Sequence, residues 1–222
     1  MSKSIYIFGF HSIESVLNSS PELVIRVLIQ KGRKDKRIID LTDTLNSHKI
    51  LYSISDKNNL DRISKGEIHQ GVISEVMTPP ILSEESFFHS ITMFDQKPMI
   101  LILDSIQDPR NLGACLRSAN AAGVSHIVIN KDGSAPINSL VHRTSAGAIN
   151  SLQIFHVTNL SRTIKQIQER DIWVVGLDGN TQSSIYNVNL TGSIAIVVGS
   201  EGKGIRPLIK KTCDQLVSIP MS

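Results

Sequence analysis

Four runs in the second part of the chain, MILILD (99–104), HIVIN (126–130), IWVVGLD (172–178) and SIAIVVG (193–199), are apolar at almost every position. A strand with one wet face alternates apolar and polar residues. A strand covered on both faces does not, and helices give that double cover to a parallel sheet. Stretches with helical spacing separate the runs, at about 111–122, 137–147, 160–169 and 205–213. Residues 98–222 are therefore expected to form an α/β domain around a mostly parallel sheet.

The first part reads differently. IYIFGF, LVIRVLIQ, KILYSIS and HQGVISEV are short and β-branched, and between them lie the helix-spaced HSIESVL, RIIDLTDTLNSH and NNLDRISK. Ile13, Val16 and Leu17 share one helical face, as do Ile38, Leu41 and Leu45. This predicts a compact α/β module over 1–76, near the size at which a small core suffices. MTPPILSEES then carries paired prolines and paired glutamates. Prolines resist regular structure, so 77–97 reads as a linker with a short helix around Phe87 and Phe88.

Composition removes several classes. At 41% hydrophobic and 19% charged the chain is globular rather than disordered. Cys115 and Cys213 are too few for a disulfide framework and lack metal-ligand spacing, so buried, reduced thiols are expected. MSKSIYIFGFHS has no signal-peptide core and no run approaches a membrane span, which points to the cytoplasm and away from membranes. The formal net charge of +3 is compatible with nucleic acid without arguing for it. KGRKDKR is sharper: Lys31, Arg33, Lys34, Lys36 and Arg37 crowd around Asp35, either as a solvated loop or as an RNA contact.

Neither G-x-G-x-x-G after a strand nor G-x-x-x-x-G-K-[ST] occurs, which argues against the common dinucleotide and P-loop enzymes. Two other loops remain. In VVGSEGKGIRPL, Gly199, Gly202 and Gly204 bracket Ser200, Glu201 and Lys203 after a strand; glycines there permit positive φ and close backbone approach. Ligands of parallel sheets bind at such carboxyl ends. In QDPRNLGACLRSANAAG, either Asp108 or Asn111 caps a helix whose Leu112, Cys115, Leu116 and Ala119 face the sheet. Arg117 lies on the other side among Gly113, Ala114 and Ala121, small neighbours that leave room for a substrate or a second chain.

Taken together, DPRNLGACLRSANAAGV, IVVGSEGKGI and VSIPMS resemble the three motifs of the SpoU-like family of knotted RNA 2′-O-ribose methyltransferases. GFHSIESVL and HQGV resemble the small RNA-binding domain that precedes the catalytic domain in its bacterial ribosomal subgroup. The resemblance implies an α/β-knot methyltransferase domain and transfer from S-adenosylmethionine to the 2′-hydroxyl of a guanosine in large-subunit (23S) ribosomal RNA. It carries catalytic roles onto Asn111, Arg117 and Glu201, and cofactor contacts onto Leu177, Gly199 and Ile219. RNA contact is expected at Lys31, Arg33, Lys34, Arg37 and Arg110. The family is homodimeric, with Arg117 reaching the partner's site; neither DNA nor a metal is implied.

A guanidinium with a pKa above about 12 is a costly general base. Arg117 is better read as a phosphate clamp and a stabiliser of developing alkoxide charge, with Glu201 orienting Asn111 or Arg117. Two departures from the family pattern stand out. Asn150 occupies a position where many relatives carry Glu. The third motif's later glycine-containing loop, Asn, Ser and final helix have no counterpart before Ser222, so the expected knot is incomplete. A transfer-RNA guanosine methyltransferase and a non-catalytic RNA-binding relative are the rival readings; an ordinary doubly wound nucleotide enzyme is disfavoured by the missing fingerprint.

Overall fold

The computed structural model describes residues 4–220. They form two compact units. One comprises the chain up to Pro80 with Gly113–Arg117 and Ile137–Ser151; the other comprises Ile81–Leu112, Ser118–Pro136 and the chain from Leu152 onward.

The first unit runs β1 (Ser4–Phe8), α1 (Phe10–Ser19), β2 (Val24–Gln30), α2 (Lys36–Ser47), β3 (Tyr52–Ser55), α3 (Lys57–Ser64) and β4 (Val72–Met77). Its sheet has the order β1-β4-β2-β3, antiparallel at β1–β4 and β4–β2 and parallel at β2–β3. Ile13, Val16 and Leu17 of α1 and Ile38, Leu41 and Leu45 of α2 are all buried against Val27, Ile29, Val72 and Val76. Leu60 of α3 packs with Leu28 and Ile73 on the sheet's other face. The helical stripes read from the sequence therefore supply both layers of this core.

The remaining elements are β5 (Leu82–Ser83), α4 (Glu84–Thr92), β6 (Met99–Asp104), α5 (Pro109–Ala121), β7 (His126–Asn130), α6 (Ser139–Thr144), β8 (Gln153–Val157), α7 (Leu160–Gln168), β9 (Trp173–Leu177), β10 (Ile194–Gly199), α8 (Pro207–Thr212) and β11 (Gln215–Val217). Apart from α6 and the middle of α5, they make up the second unit. Its seven strands are all parallel, in the order β11-β9-β10-β6-β7-β8-β5. Ile100, Ile102, Val128, Phe155, Val174, Ala195 and Val197 fill its main core, with Ile164 and Ile167 from α7 and Ile209 from α8.

The linker expected over 77–97 is ordered in its centre. Leu82 pairs with Phe155 at the sheet edge, and Ser83 Oγ caps α4 by accepting from Ser86 N at 3.1 Å. Glu84 and Glu85 occupy the first turn, where the helix dipole favours acids. Phe87 is fully buried in the main core. The two prolines only set where this segment starts. Among the described residues no helix is long and apolar enough to cross a membrane.

Candidate active site at the carboxyl ends of the second sheet

The strand order reverses at the centre of the seven-stranded sheet. From β6 the chain moves through α5 to β7 and on to β8, whereas β10, β9 and β11 stack on the other flank of β6. Such a reversal opens a crevice beyond the carboxyl ends of the two central strands. Those ends are Asp104 and Gly199, which lie side by side in register.

Asp104 is fully buried, and its carboxylate closes the crevice floor. Oδ2 accepts from Arg206 N at 2.8 Å, Oδ1 accepts from Arg206 Nε at 2.7 Å, and Ser105 Oγ donates to Oδ1 at 3.2 Å. Ser105 itself sits at φ 63, a left-handed conformation that a non-glycine residue holds only when its surroundings impose it. The carboxylate that holds an arginine here is thus Asp104, and its partner is Arg206. Glu201 is exposed, and its carboxylate has no partner among the described residues, so the orienting role expected for it is absent from this conformation.

Between Gly199 and Arg206 the loop folds onto itself. Gly204 N donates to Ser200 O at 2.8 Å and Lys203 N to Glu201 O at 2.8 Å. Gly202 and Gly204 take φ of +76 and +66. A Cβ on Gly199 would lie 2.1 Å from both Gly204 C and Ile205 N. Gly199 is therefore required by the loop's own backbone, a reason distinct from ligand approach.

Leu177, Gly199 and Ile219, the expected cofactor contacts, lie at the ends of β9 and β10 and just past β11, three neighbouring strands. Leu177 pairs with Val217 and is half-buried, and Ile219 is exposed. Beyond β9, Asp178 N donates to Val217 O, and Lys210 Nζ donates to the Asp178 carboxylate at 2.7 Å. That lysine holds the carboxyl below the ordinary range. Ser218 N donates to Ser183 O and Ile185 N to Ser218 O, so the β9–β10 connection grips the chain just before Ile219. Met221 and Ser222, the end of the third motif, lie outside the described residues.

On α5 the cap is Asp108, which accepts from Arg110 N at 2.7 Å with Pro109 at the first position. Leu112, Leu116 and Ala119 are buried and Cys115 is half-buried. Asn111 is half-buried, Arg110 and Arg117 are exposed, and none of the three side chains is hydrogen-bonded among the described residues. Six residues apart, Asn111 and Arg117 are separated by roughly 120° around the helix. The smallness of Gly113 is corrected to a packing requirement: a Cβ there would lie 1.9 Å from Thr144 Oγ1 and 3.0 Å from Ser145 N. Ala114 and Ala121 remain exposed.

The basic run is only half available. Lys31 and Lys34 are exposed. Arg33 Nε donates to Asp35 at 2.8 Å, its guanidinium also donates to Gln70 O, and it sits 5.1 Å from the Phe10 ring centroid. Arg37 lies 4.4 Å over the same ring and pairs with Glu14 at 3.5 Å. RNA contact is expected at Lys31, Arg33, Lys34, Arg37 and Arg110; of these, Arg33 and Arg37 are engaged by Phe10 and by the nearby acids in this structure.

Sequence reasoning missed Asp104 and Arg206. The signal was present in MILILD, where an acid ends an otherwise apolar buried strand, and in the Ile-Arg-Pro that closes the glycine loop.

Comparison with known proteins gives this geometry its kin. The sequence model of the SpoU rRNA Methylase family matches residues 98–222, and that of RNA 2′-O ribose methyltransferase substrate binding matches residues 6–81. The 23S rRNA (guanosine-2′-O-)-methyltransferase RlmB of Escherichia coli (strain K12) is 41% identical over 216 residues, 97% of this chain and 88% of that protein. The Haemophilus influenzae protein of the same name is 43% identical over 223 residues, 100% of this chain and 89% of that one. Among solved structures, the SpoU methyltransferase AviRb from Streptomyces viridochromogenes, in complex with AdoMet, has a TM-score of 0.78 at 21% identity, covering 99% of this chain and 82% of that one. A structure described as an RNA 2′-O ribose methyltransferase has a TM-score of 0.75 at 23% identity, covering 100% and 81%. A match of this extent, on a seven-stranded parallel sheet with its glycine loop after a central strand, settles the kinship: the chain belongs to the SpoU rRNA methylase family.

Proposed function

We propose that this chain transfers the methyl group of S-adenosylmethionine to the 2′-hydroxyl of a guanosine in 23S ribosomal RNA. The observation that carries the reading is 41–43% identity, over nearly the whole chain, to proteins named for that reaction. Residues 1–76 hold the RNA, residues 98–222 perform the transfer, and the enzyme works as a homodimer in the cytoplasm.

The residues at the strand ends fit the cofactor. Leu177 and the exposed Ile219 offer apolar surface to a purine, and the Gly199–Gly204 loop offers backbone close by. When bound, the cofactor supplies an electrophilic sulfonium methyl. The chain's own residues do the rest. A ribose hydroxyl is a weak nucleophile and sheds its proton as it attacks, so developing oxyanion charge is what the site stabilises. Asn111 holds the hydroxyl, and Arg117, supplied to the partner's site, clamps the adjacent phosphate and stabilises the alkoxide. Glu201, without a partner among the described residues, orients these groups once RNA is bound.

Ribose-methylation mapping of 23S RNA from a deletion strain tests the reading: one guanosine is expected to lose its mark and regain it on complementation. An unchanged map, or calorimetry showing RNA binding with no binding of S-adenosylmethionine, would refute it in favour of a non-catalytic RNA-binding protein.

A further inference from the structure

We infer that Arg206 is a preoriented phosphate clamp on the RNA side of the crevice, with Asp104 as the residue that aims it. The inference deepens the methyl-transfer reading and rests on it for the identity of the bound polymer.

The geometry is unusual for a simple latch. An arginine that serves only to neutralise a buried carboxylate commonly presents its two-pronged fork to both oxygens. Here Asp104 takes one bond from Nε and one from the backbone N of the same residue. Nη1 and Nη2 have no hydrogen-bond partner among the described residues, and the Arg206 side chain is 50% exposed while Asp104 is 0% exposed. The carboxylate thus fixes the guanidinium plane from behind and leaves its outer pair of amino groups directed to solvent. Holding a long side chain in one orientation before binding lowers the cost of forming a bidentate contact.

The cations around this fork favour a polyanion. The cofactor contacts lie at the ends of β9, β10 and β11, on one flank of the crevice. Asp104 ends β6, beside Gly199 in register, and the chain leaving β6 enters α5 with exposed Arg110 and half-buried Asn111. Exposed Lys203 and Lys211 flank Arg206 in sequence. Arg206 follows the β10 loop at the start of α8, and its Nε bond to Asp104 turns it to the end of β6, the strand whose chain continues into α5; a polyanion lying along exposed Arg110 and Lys203 meets its outer amino groups. The ligand class is therefore a backbone phosphodiester of the RNA.

The test uses the full chain and in-vitro transcribed 23S RNA, with RNA affinity measured across a salt series and S-adenosylmethionine affinity measured by calorimetry. For Arg206→Gln, RNA binding is expected to fall about tenfold, and the slope of log affinity against log salt to shrink by about 0.7–0.9, the value of one phosphate contact. Cofactor affinity is expected to stay within about twofold. Arg206→Lys keeps the charge and hence the slope, yet loses affinity because the fork is gone. Since Arg206→Gln strands a buried carboxylate, Asp104→Asn/Arg206→Gln removes both charges and is expected to show the same slope loss in a folded protein. An unchanged RNA slope in the double variant, or a loss confined to cofactor affinity, overturns the clamp. A wild-type chain that binds RNA with an Arg206-dependent slope but transfers no methyl group would refute the proposed function and leave the clamp standing.

Discussion

Replacing Gly199 with alanine offers the sharpest test of how the second loop is built. Ordinary contacts of a Cβ fall at 3.4–4 Å, and at Gly199 three backbone atoms stand at 2.1, 2.1 and 2.4 Å. None belongs to a side chain that could rotate away, so Gly204 and Ile205 must retreat by more than about 1 Å to reach ordinary packing distance. Arg206 follows Ile205, and its backbone N–H holds the buried Asp104 at 2.8 Å. Overpacking contributes roughly 2 kcal/mol of destabilisation, and one lost hydrogen bond to a charged group another 2 kcal/mol or so. For a chain of this size about 4 kcal/mol corresponds to a melting-temperature drop of roughly 8–16 °C. Gly202→Ala is the control in the same loop. Nothing lies within 4 Å of its added Cβ, and only its φ of +76 is strained, for about 1 kcal/mol and roughly 2–4 °C. Differential scanning fluorimetry on both variants reads the difference. If Gly199→Ala melts within about 2 °C of Gly202→Ala, the loop does not close on itself as described.

Three further outcomes are expected. Arg117→Lys should keep the salt slope of RNA binding but lower kcat/KM for RNA about 10–100-fold, as loss of a bidentate charge-assisted contact implies; full activity would remove any guanidinium-specific role. His142 is buried with neither ring nitrogen partnered among the described residues, and burial lowers its pKa to about 4. The unfolded chain therefore takes up a proton first as pH falls below about 6.5, so stability is lost between about 6.5 and 4, by about 3 kcal/mol from this group. Denaturant titrations of His142→Leu should show a correspondingly shallower acid limb; an identical limb would contradict the assignment. Cys213, pushed up to about 11 by burial, carries about 0.1% thiolate at pH 8, so iodoacetamide should label it far more slowly than a free thiol until urea unfolds the chain. Labelling at the free-thiol rate in native buffer would count against it.

The long apolar strands were legible because burial on both faces leaves a mark that few other environments produce. β8, QIFHV, escaped that criterion: Gln153 and His156 interrupt the run even though Ile154, Phe155 and Val157 are buried. β11 is three residues long, and only Val217 is buried, too little pattern to register. At the site, motif spacing pointed to the two loops and to the strand ends. It could not reveal that Asp104 rather than Glu201 is the buried acid, because that follows from strand register, in which Gly199 lies beside Asp104. Nor could it show that Arg33 and Arg37 share Phe10, a contact across three separate elements.

The strand order has a consequence for synthesis on the ribosome. Among the described residues, the two edges of the seven-stranded sheet, β5 and β11, are the first and last of its strands in chain order. As residues emerge from the amino end, one flank can assemble outward from β6 to β8 and β5 while the other waits. The outer side of β9 has no partner until Val217 has left the exit tunnel. Through that interval the nascent chain presents a short apolar edge able to pair with a neighbouring copy. Ribosomes that pause after β9 has emerged and before β11 has would prolong this vulnerable period, so codon choice across this stretch becomes a determinant of soluble yield.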